Sequence, residues 1–301
     1  MCALKKNNTS VICFGEVLWD ILPDGPQPGG APLNVAYHLN KLGVPAGIIS
    51  RIGNDENGKW LQELMEEWAI DHRSLQVDKK YPTSEVLASL NNGNEVCYEI
   101  VFPVAWDFIT ADQVALEQVS SSAYFIYGSL SSRNEPTQQA LARFLELDVV
   151  KVLDINLRYP FVKRAVLQAL MEKADIIKFN EAELDVVQTL FGGLYGTERE
   201  KVKFIQDRFD VAEILITKGE SGAAYYKGPD RFYHFGSEVK VEDTIGSGDA
   251  FLAAFISGHK QQKHPNEILK NAIAMGAFIA TQKGACPNYQ IDEYLLFDTY
   301  C

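Results

Sequence analysis

Residues 149–155 (VVKVLDI), 174–179 (ADIIKF) and 212–217 (AEILIT) are short β-branched runs, separated by amphipathic segments at 160–173, 181–190 and 198–208. Alternation of this kind builds a parallel sheet with helices on both faces, because two parallel strands need a crossover long enough to hold a helix. The same rhythm extends outward, with strands expected at 10–15 (SVICFG), 46–52 and 122–128 (SAYFIYG). Further helices are expected at 33–42, 57–69, 135–146, 249–260 and 265–282; in the first, Val35, Ala36, Leu39 and Leu42 share one face. The expectation is one α/β domain over residues 1–301, a doubly wound, mostly parallel sheet flanked by helices. One segment breaks the rhythm. Residues 83–102 (TSEVLASLNNGNEVCYEIVF) hold two strand-like runs around Asn91-Asn92-Gly93-Asn94, the composition of a hairpin turn. An inserted β-hairpin at about 83–107 can extend an edge, clasp a second copy into a homodimer, or act as a lid over a site.

Composition limits the partners. Hydrophobic residues make up 47% of the 301, enough for a large core. Lys plus Arg number 28 and Asp plus Glu 40, a net charge of −12 that repels a nucleic-acid backbone. Any anionic ligand therefore needs a local set of donors. The cysteines Cys2, Cys13, Cys97, Cys286 and Cys301 form no CxxC pair, which suits neither a zinc site nor a disulfide framework and fits a reducing cytoplasm. Residues 11–22 are interrupted by Glu16 and Asp20 and read as strand, not signal peptide, and no apolar stretch approaches the length of a membrane span.

The chemistry is concentrated in Val241-Glu-Asp-Thr-Ile-Gly-Ser-Gly-Asp-Ala-Phe-Leu-Ala-Ala-Phe255. Gly246, Ser247 and Gly248 precede a strongly helical run, so free backbone N–H groups and the positive helix end converge where phosphoryl charge would develop. Such a hole is built from backbone, so the acidic composition does not forbid it. Asp249, at the start of the helix, suits a base that takes the proton of an attacking hydroxyl, and equally suits an N-cap. No GxxxxGK[ST] occurs, and no GxGxxG follows a strand.

Asp243-Thr244-Ile245-Gly246-Ser247-Gly248-Asp249-Ala250-Phe251 resembles the DTxGAGDxF signature of the ribokinase-like (PfkB) carbohydrate kinases. Gly29-Gly30-Ala31-Pro32-Leu33-Asn34-Val35-Ala36, followed by Leu42-Gly43, resembles the family's GGAPxNVAxxLxxLG, and Gly53-Asn54-Asp55-Glu56-Asn57-Gly58 its GxDxxG. The resemblance runs from about residue 11 to 290 and implies a ribokinase-like fold and transfer of the γ-phosphoryl of ATP to a sugar hydroxyl. It implies Asp249 as catalytic base, an anion hole from Gly246, Ser247 and Gly248, and sugar contacts from Asp20, Gly29, Gly30 and Asn34. Asp154-x-Asn156-x-Arg158 resembles the family's DxNxR, which gives Arg158 a role in orienting substrate or phosphate. Asn180-Glu181-Ala182-Glu183 matches its NxxE, tied to phosphate and to Mg2+ through water at Glu183, and it is also a capping-box pattern. Thr217, Lys218, Gly219 and Gly222 match the nucleotide-contacting TxGxxG loop, and Asn271 stands near a frequent adenine-side position. Some relatives bind a monovalent cation such as K+ near the segments that hold Asp243, Ile245 and Gly284.

The acceptor is read from charge and from local likeness. Residues 81–132 contain no Lys or Arg but hold Glu85, Glu95, Glu99, Asp107, Asp112 and Glu117, so a lid of that sign disfavours sugar acids and sugar phosphates. Phe14-Gly15-Glu16-Val17-Leu18-Trp19-Asp20 and Pro103-Val104-Ala105-Trp106-Asp107 look like fructokinases, which makes fructose the leading acceptor. Trp106, Tyr98 and Phe102 are placed as an apolar wall for the sugar, or as ordinary core. Competing readings are a kinase for ribose, tagatose or 2-keto-3-deoxygluconate, and a nucleotide- or sugar-binding sensor without catalysis.

Overall fold

Along β1 (Val11–Phe14), Val11 and Cys13 pack into one hydrophobic layer and Ile12 and Phe14 into another, so both faces of the strand are buried. This two-sided burial runs through the central sheet and explains why its strands read as continuous apolar runs. The computed structural model describes residues 10–22, 25–90, 96–194 and 196–300; side chains at 87–90, 96–99, 299 and 300 fall outside that description. The remaining strands are β2 (Leu18–Leu22), β3 (Gly25–Gly29), β4 (Ala46–Gly53), β5 (Asp71–Asp78), β6 (Ser84–Leu90), β7 (Val96–Ile100), β8 (Tyr124–Gly128), β9 (Val150–Asp154), β10 (Ile176–Asn180), β11 (Glu213–Thr217), β12 (Ala223–Lys227) and β13 (Asp230–His234). The helices are α1 (Ala31–Lys41), α2 (Glu56–Glu67), α3 (Gln113–Ser120), α4 (Glu135–Phe144), α5 (Arg164–Met171), α6 (Glu181–Leu190), α7 (Glu198–Phe209), α8 (Ser247–Lys260), α9 (Pro265–Ala280) and α10 (Ile291–Tyr300).

Nine strands form the main sheet in the order β13-β12-β11-β10-β9-β8-β1-β4-β5. It is parallel from β11 to β5 and antiparallel from β11 to β13. The chain winds from β1 outward through β4 and β5, then returns to build β8 on the other flank of β1. The carboxyl ends of β1 and β8 thus open a crevice at a topological switch point, where open α/β sheets bind ligands. Helices α1, α2, α8, α9 and α10 cover one face, and α3 to α7 the other. Among the described residues no helix is long and apolar enough to cross a membrane.

The expected lid is larger than a hairpin. A second sheet of four strands, ordered β3-β2-β6-β7, joins the hairpin β6–β7 to an earlier one, β2–β3, through parallel pairing of β2 with β6. The sequence reading missed β3 because Gly25-Pro26-Gln27-Pro28-Gly29 looks like turn; as an edge strand it tolerates prolines that an inner strand would not. The turn expected at Asn91-Asn92-Gly93-Asn94 lies outside the described residues, as does the side chain of Tyr98.

Residues 101–107 do not belong to the lid. Val104 to Asp107 enter a short 3-10 turn, Trp106 and Asp107 are fully buried, and Trp106 is a core residue, not a sugar-facing wall. Arg133 explains the arrangement. Its Nε and Nη2 each donate to the Asp107 carboxylate at 2.7 Å, Nη2 also donates to the Val101 carbonyl, and its guanidinium lies 3.9 Å from the Trp106 ring centroid. With both side chains completely buried, removing one partner strands a charge in the core. Asp107→Ala is expected to destabilise the protein by about 3–5 kcal/mol, seen as a lowered midpoint in urea denaturation followed by circular dichroism; a shift of only a few tenths would mean water replaces the carboxylate.

Candidate active site

Helix α8 begins at Gly246, whose left-handed backbone (φ 76°) turns the chain against Ala285, where any Cβ would clash with the Ala285 backbone. The N-cap is this glycine and no side chain caps the helix, so Asp249, three residues in, is not spent as a cap. The amides of Gly248 and Asp249 have no acceptor among the described residues. Ser247 turns its hydroxyl away, donating to the Gly276 carbonyl of α9 at 2.9 Å, so its side chain leaves the anion hole to the backbone. The positive end of a 14-residue helix therefore points its free N–H groups into the crevice.

Asp249 faces α1. Its Oδ2 accepts from Asn34 Nδ2 at 2.8 Å, and the other end of that amide, Oδ1, accepts from the Cys286 thiol at 3.3 Å. Burial raises the Asp249 carboxyl to about 6, with the Asp154 charge adding to the rise and the Asn34 hydrogen bond, Lys178 and Arg158 opposing it. A carboxyl poised there accepts a proton near neutral pH far better than an ordinary aspartate.

Lys178 was not anticipated from the sequence. It is a buried cation in an apolar strand, held by both oxygens of Asp154 at 2.8 and 2.9 Å, with its Nζ 3.6 Å from where a Cβ of Gly248 would lie. A lone lysine within IIKF looks like strand alternation, and only the fold brings it to the helix end. Glu183 is buried in a reciprocal capping box: Asn180 Oδ1 accepts from its amide, and its two carboxylate oxygens accept from the amides of Asn180 and Leu157 at 2.9 Å each. Glu183 is pushed above the usual carboxylate range by burial and then by Asp154.

On the sugar side, Asp20 projects from β2 of the small sheet and is raised to about 6 by burial, with Arg158 opposing. A Cβ on Gly29 would meet the Asp20 carboxylate, which would have to move aside, whereas one on Gly30 (φ 104°) would overlap the Glu16 carbonyl oxygen, so Gly30 is sterically required. Arg158 is exposed and among the described residues makes no ion pair; its Nη1 donates only to the Leu157 carbonyl, yet it bears electrostatically on Glu16, Asp20 and Asp249.

A cavity of about 650 Å³ opens beside the α8 end, lined by Thr217, Gly219 and Gly222 from the loop after β11, by Ser247 and Gly248, and by α9 at Gly276. Four of the residues expected at the nucleotide, Asn180, Glu183, Lys218 and Asn271, do not line it. Lys218 turns away to pair with Glu198 and Glu181, and Asn271 lies elsewhere on α9, its carbonyl accepting from the Tyr294 hydroxyl. Ile273, Gly276, Ala277 and Ala280 present the helix to the cavity instead. Asp243 does gather the segments expected near a monovalent cation, its carboxylate accepting from the amides of Ile245 and Gly284 at 3.0 and 3.1 Å. The lid-charge expectation weakens, since Asp107 is neutralised in the core and Asp112 caps α3; the side chains of Glu95 and Glu99 lie outside the described residues.

The profile of the pfkB family carbohydrate kinases matches residues 25–292. This chain belongs to that family. Fructokinase-1 of Zea mays is 31% identical over 95% of the chain and 96% of its own length, and a probable fructokinase-2 of Arabidopsis thaliana is 29% identical over 95% and 94%. A fructokinase of Vibrio cholerae, solved with fructose, ADP and a calcium ion, superposes with a TM-score of 0.82 at 26% identity, covering 97% of this chain and 99% of that one. The protein is thus a ribokinase-like sugar kinase, a phosphotransferase with an alcohol group as acceptor. In this kinase Gly30 has no substitute: Gly30→Ala forces a side chain into the left-handed region at a cost of about 1–3 kcal/mol and displaces the start of α1. The expected result is a sugar KM raised at least tenfold with ATP affinity unchanged, read by steady-state kinetics and nucleotide titration.

Proposed function

We propose that this kinase phosphorylates fructose to fructose 6-phosphate with ATP and Mg2+. The single observation that carries the phosphoryl-transfer assignment is the convergence of the unused Gly248 and Asp249 amides, the Asp249 carboxylate and the Lys178 ammonium at one end of α8. ATP would occupy the cavity between the loop after β11 and α9, its terminal phosphate at the amides. The sugar would lie toward Asp20, Gly29, Gly30 and Asn34, its hydroxyl giving a proton to Asp249. Amides and Lys178 then meet the charge that spreads over the transferring group.

Fructose is favoured by the names of the relatives and by the sign of the sugar side. Glu16, Asp20 and Asp249 present carboxyl groups against Arg158, a balance suited to neutral hydroxyls. The donors fit magnesium carried by the nucleotide, since no group of three metal-binding side chains occurs among the described residues. Glu183 has both oxygens on backbone amides, which fits contact through water. When bound, with Glu183 placed to hold it through water, the ion would offset the charge on the transferring phosphoryl group. A potassium ion near Asp243, Ile245 and Gly284 belongs to the same reading.

Initial rates with ATP and magnesium across neutral sugars test the acceptor; a higher kcat/KM for ribose, tagatose or 2-keto-3-deoxygluconate overturns fructose. Asp249→Asn is expected to lose on the order of a hundredfold or more in kcat while ATP still binds. Because the ionised form of Asp249 is the base and its pKa is raised to about 6, the wild-type rate should fall as pH drops through that value. A pH-independent rate down to 5, or near-normal turnover in Asp249→Asn, removes Asp249 from the chemistry.

A further inference from the structure

Glu16 follows β1 directly, at the switch point, and is only 3% exposed. Its Oε2 is buried and has no hydrogen-bond partner among the described residues. A buried carboxyl oxygen without a partner costs about 1–3 kcal/mol or more, so an ordinary core position would not hold one. The neighbouring cations do not relieve it. Arg133 gives Nε and Nη2 to the Asp107 carboxylate and leaves Nη1 buried without an acceptor among the described residues, and neither Arg133 nor Arg158 makes an ion pair with Glu16. Burial raises the Glu16 carboxyl to about 7, with Arg158 and Arg133 opposing and Asp249 adding to the rise. The group therefore exchanges between donor and acceptor near neutral pH.

The side chain lines a small void with Pro32 and Val35 of the α1 segment, Gly128 at the end of β8, Asn156, and Leu252 of α8. Leu252 lies one helical turn beyond Asp249 on α8 and Val35 follows Asn34 on α1, so the void is walled by the same two helices that the Asn34–Asp249 hydrogen bond joins. Its volume of about 10 Å³ is room for one oxygen atom and not for a ring. A sugar whose reacting hydroxyl reaches Asp249 carries further hydroxyls on adjacent carbons. We propose that Glu16 is a further sugar-contacting and specificity-determining residue, its free Oε2 receiving one non-reacting hydroxyl of the acceptor in this void. The assignment rests on the sugar-kinase reading of the site but not on fructose as the acceptor.

The test pairs variants with monodeoxy analogues of whichever sugar gives the highest kcat/KM. Wild type should lose at least ~10-fold in kcat/KM on one analogue, because a site built to hydrogen-bond a hydroxyl rejects the compound that lacks it. In Glu16→Leu, similar in size and unable to hydrogen-bond, the parent sugar should lose about as much, mainly in KM, and the discrimination against that one analogue should vanish. Glu16→Gln should restore most of it. If Glu16→Leu lowers all analogues in parallel, or leaves the wild-type pattern intact, the void holds water and the proposal is wrong. Glu16→Asp, which keeps the acid but withdraws it by one methylene, gives the same comparison should Leu impair folding. A protein that phosphorylates no sugar in the panel defeats the functional reading itself, a result separable from any pattern among analogues.

Discussion

The hydrogen bond from Asn34 to Asp249 joins two residues 215 positions apart and fixes α1 against α8 at the point where the sheet opens. Neither helix end is capped by a side chain: α1 starts at Gly30 and α8 at Gly246, both at positive φ. Side-chain caps would have filled the space in which substrate is proposed to sit. The two glycines let the backbone make the turns, and the polar side chains just inside each helix are left to meet each other and the ligand. The thiol of Cys286 completes the alignment. A carboxylate on one side of the Asn34 amide requires its N–H there, which leaves its oxygen facing a donor, and burial keeps that thiol protonated.

Much of the main sheet was legible because its parallel strands are buried on both faces and so declare themselves as apolar runs. The expected strands correspond to β1, β4 and β8 to β11, and the eight expected helices to α1, α2 and α4 to α9. The strands that escaped notice lie toward edges. β5 reads Asp71-His-Arg-Ser-Leu-Gln-Val-Asp78, too polar for a buried run, and β3 is full of glycine and proline. Their identity as strands comes from a neighbour's hydrogen bonds, which local sequence does not encode. The small sheet was half visible for the same reason: its second hairpin carries its own alternation, whereas its first depends on pairing with β6.

The site was legible where its chemistry is carried by backbone and short motifs, and obscure where it is carried by single charges in apolar surroundings. Gly246 to Asp249 and Asn180 to Glu183 have local geometry that their spacing encodes, a glycine turn and a capping box. Lys178 and Glu16 have none, because one charged residue in a buried strand or at its end reads as an interruption of the core. Lys218 misled in the opposite sense. Its place in a loop motif implied contact with the nucleotide, whereas in the structure it pairs with Glu198 from α7 and Glu181 from α6.

Among the described residues no Lys or Arg lines the cavity beside α8, in keeping with a chain of net charge −12. With ATP placed as proposed, positive potential for phosphate would come from the α8 amides and from Lys178, which Asp154 already pairs. This arrangement has a physical consequence. A free lysine would bind the ground-state triphosphate strongly, whereas on the proposed reading a lysine already paired with Asp154, beside oriented amides, would act through short-range hydrogen bonds formed as the phosphoryl group moves toward the acceptor. Interactions of that kind favour the transition state over the bound nucleotide. On that reading the buried Lys178–Asp154 pair would serve as a preorganised donor, and its desolvation offsets much of what its Coulomb attraction contributes to the fold.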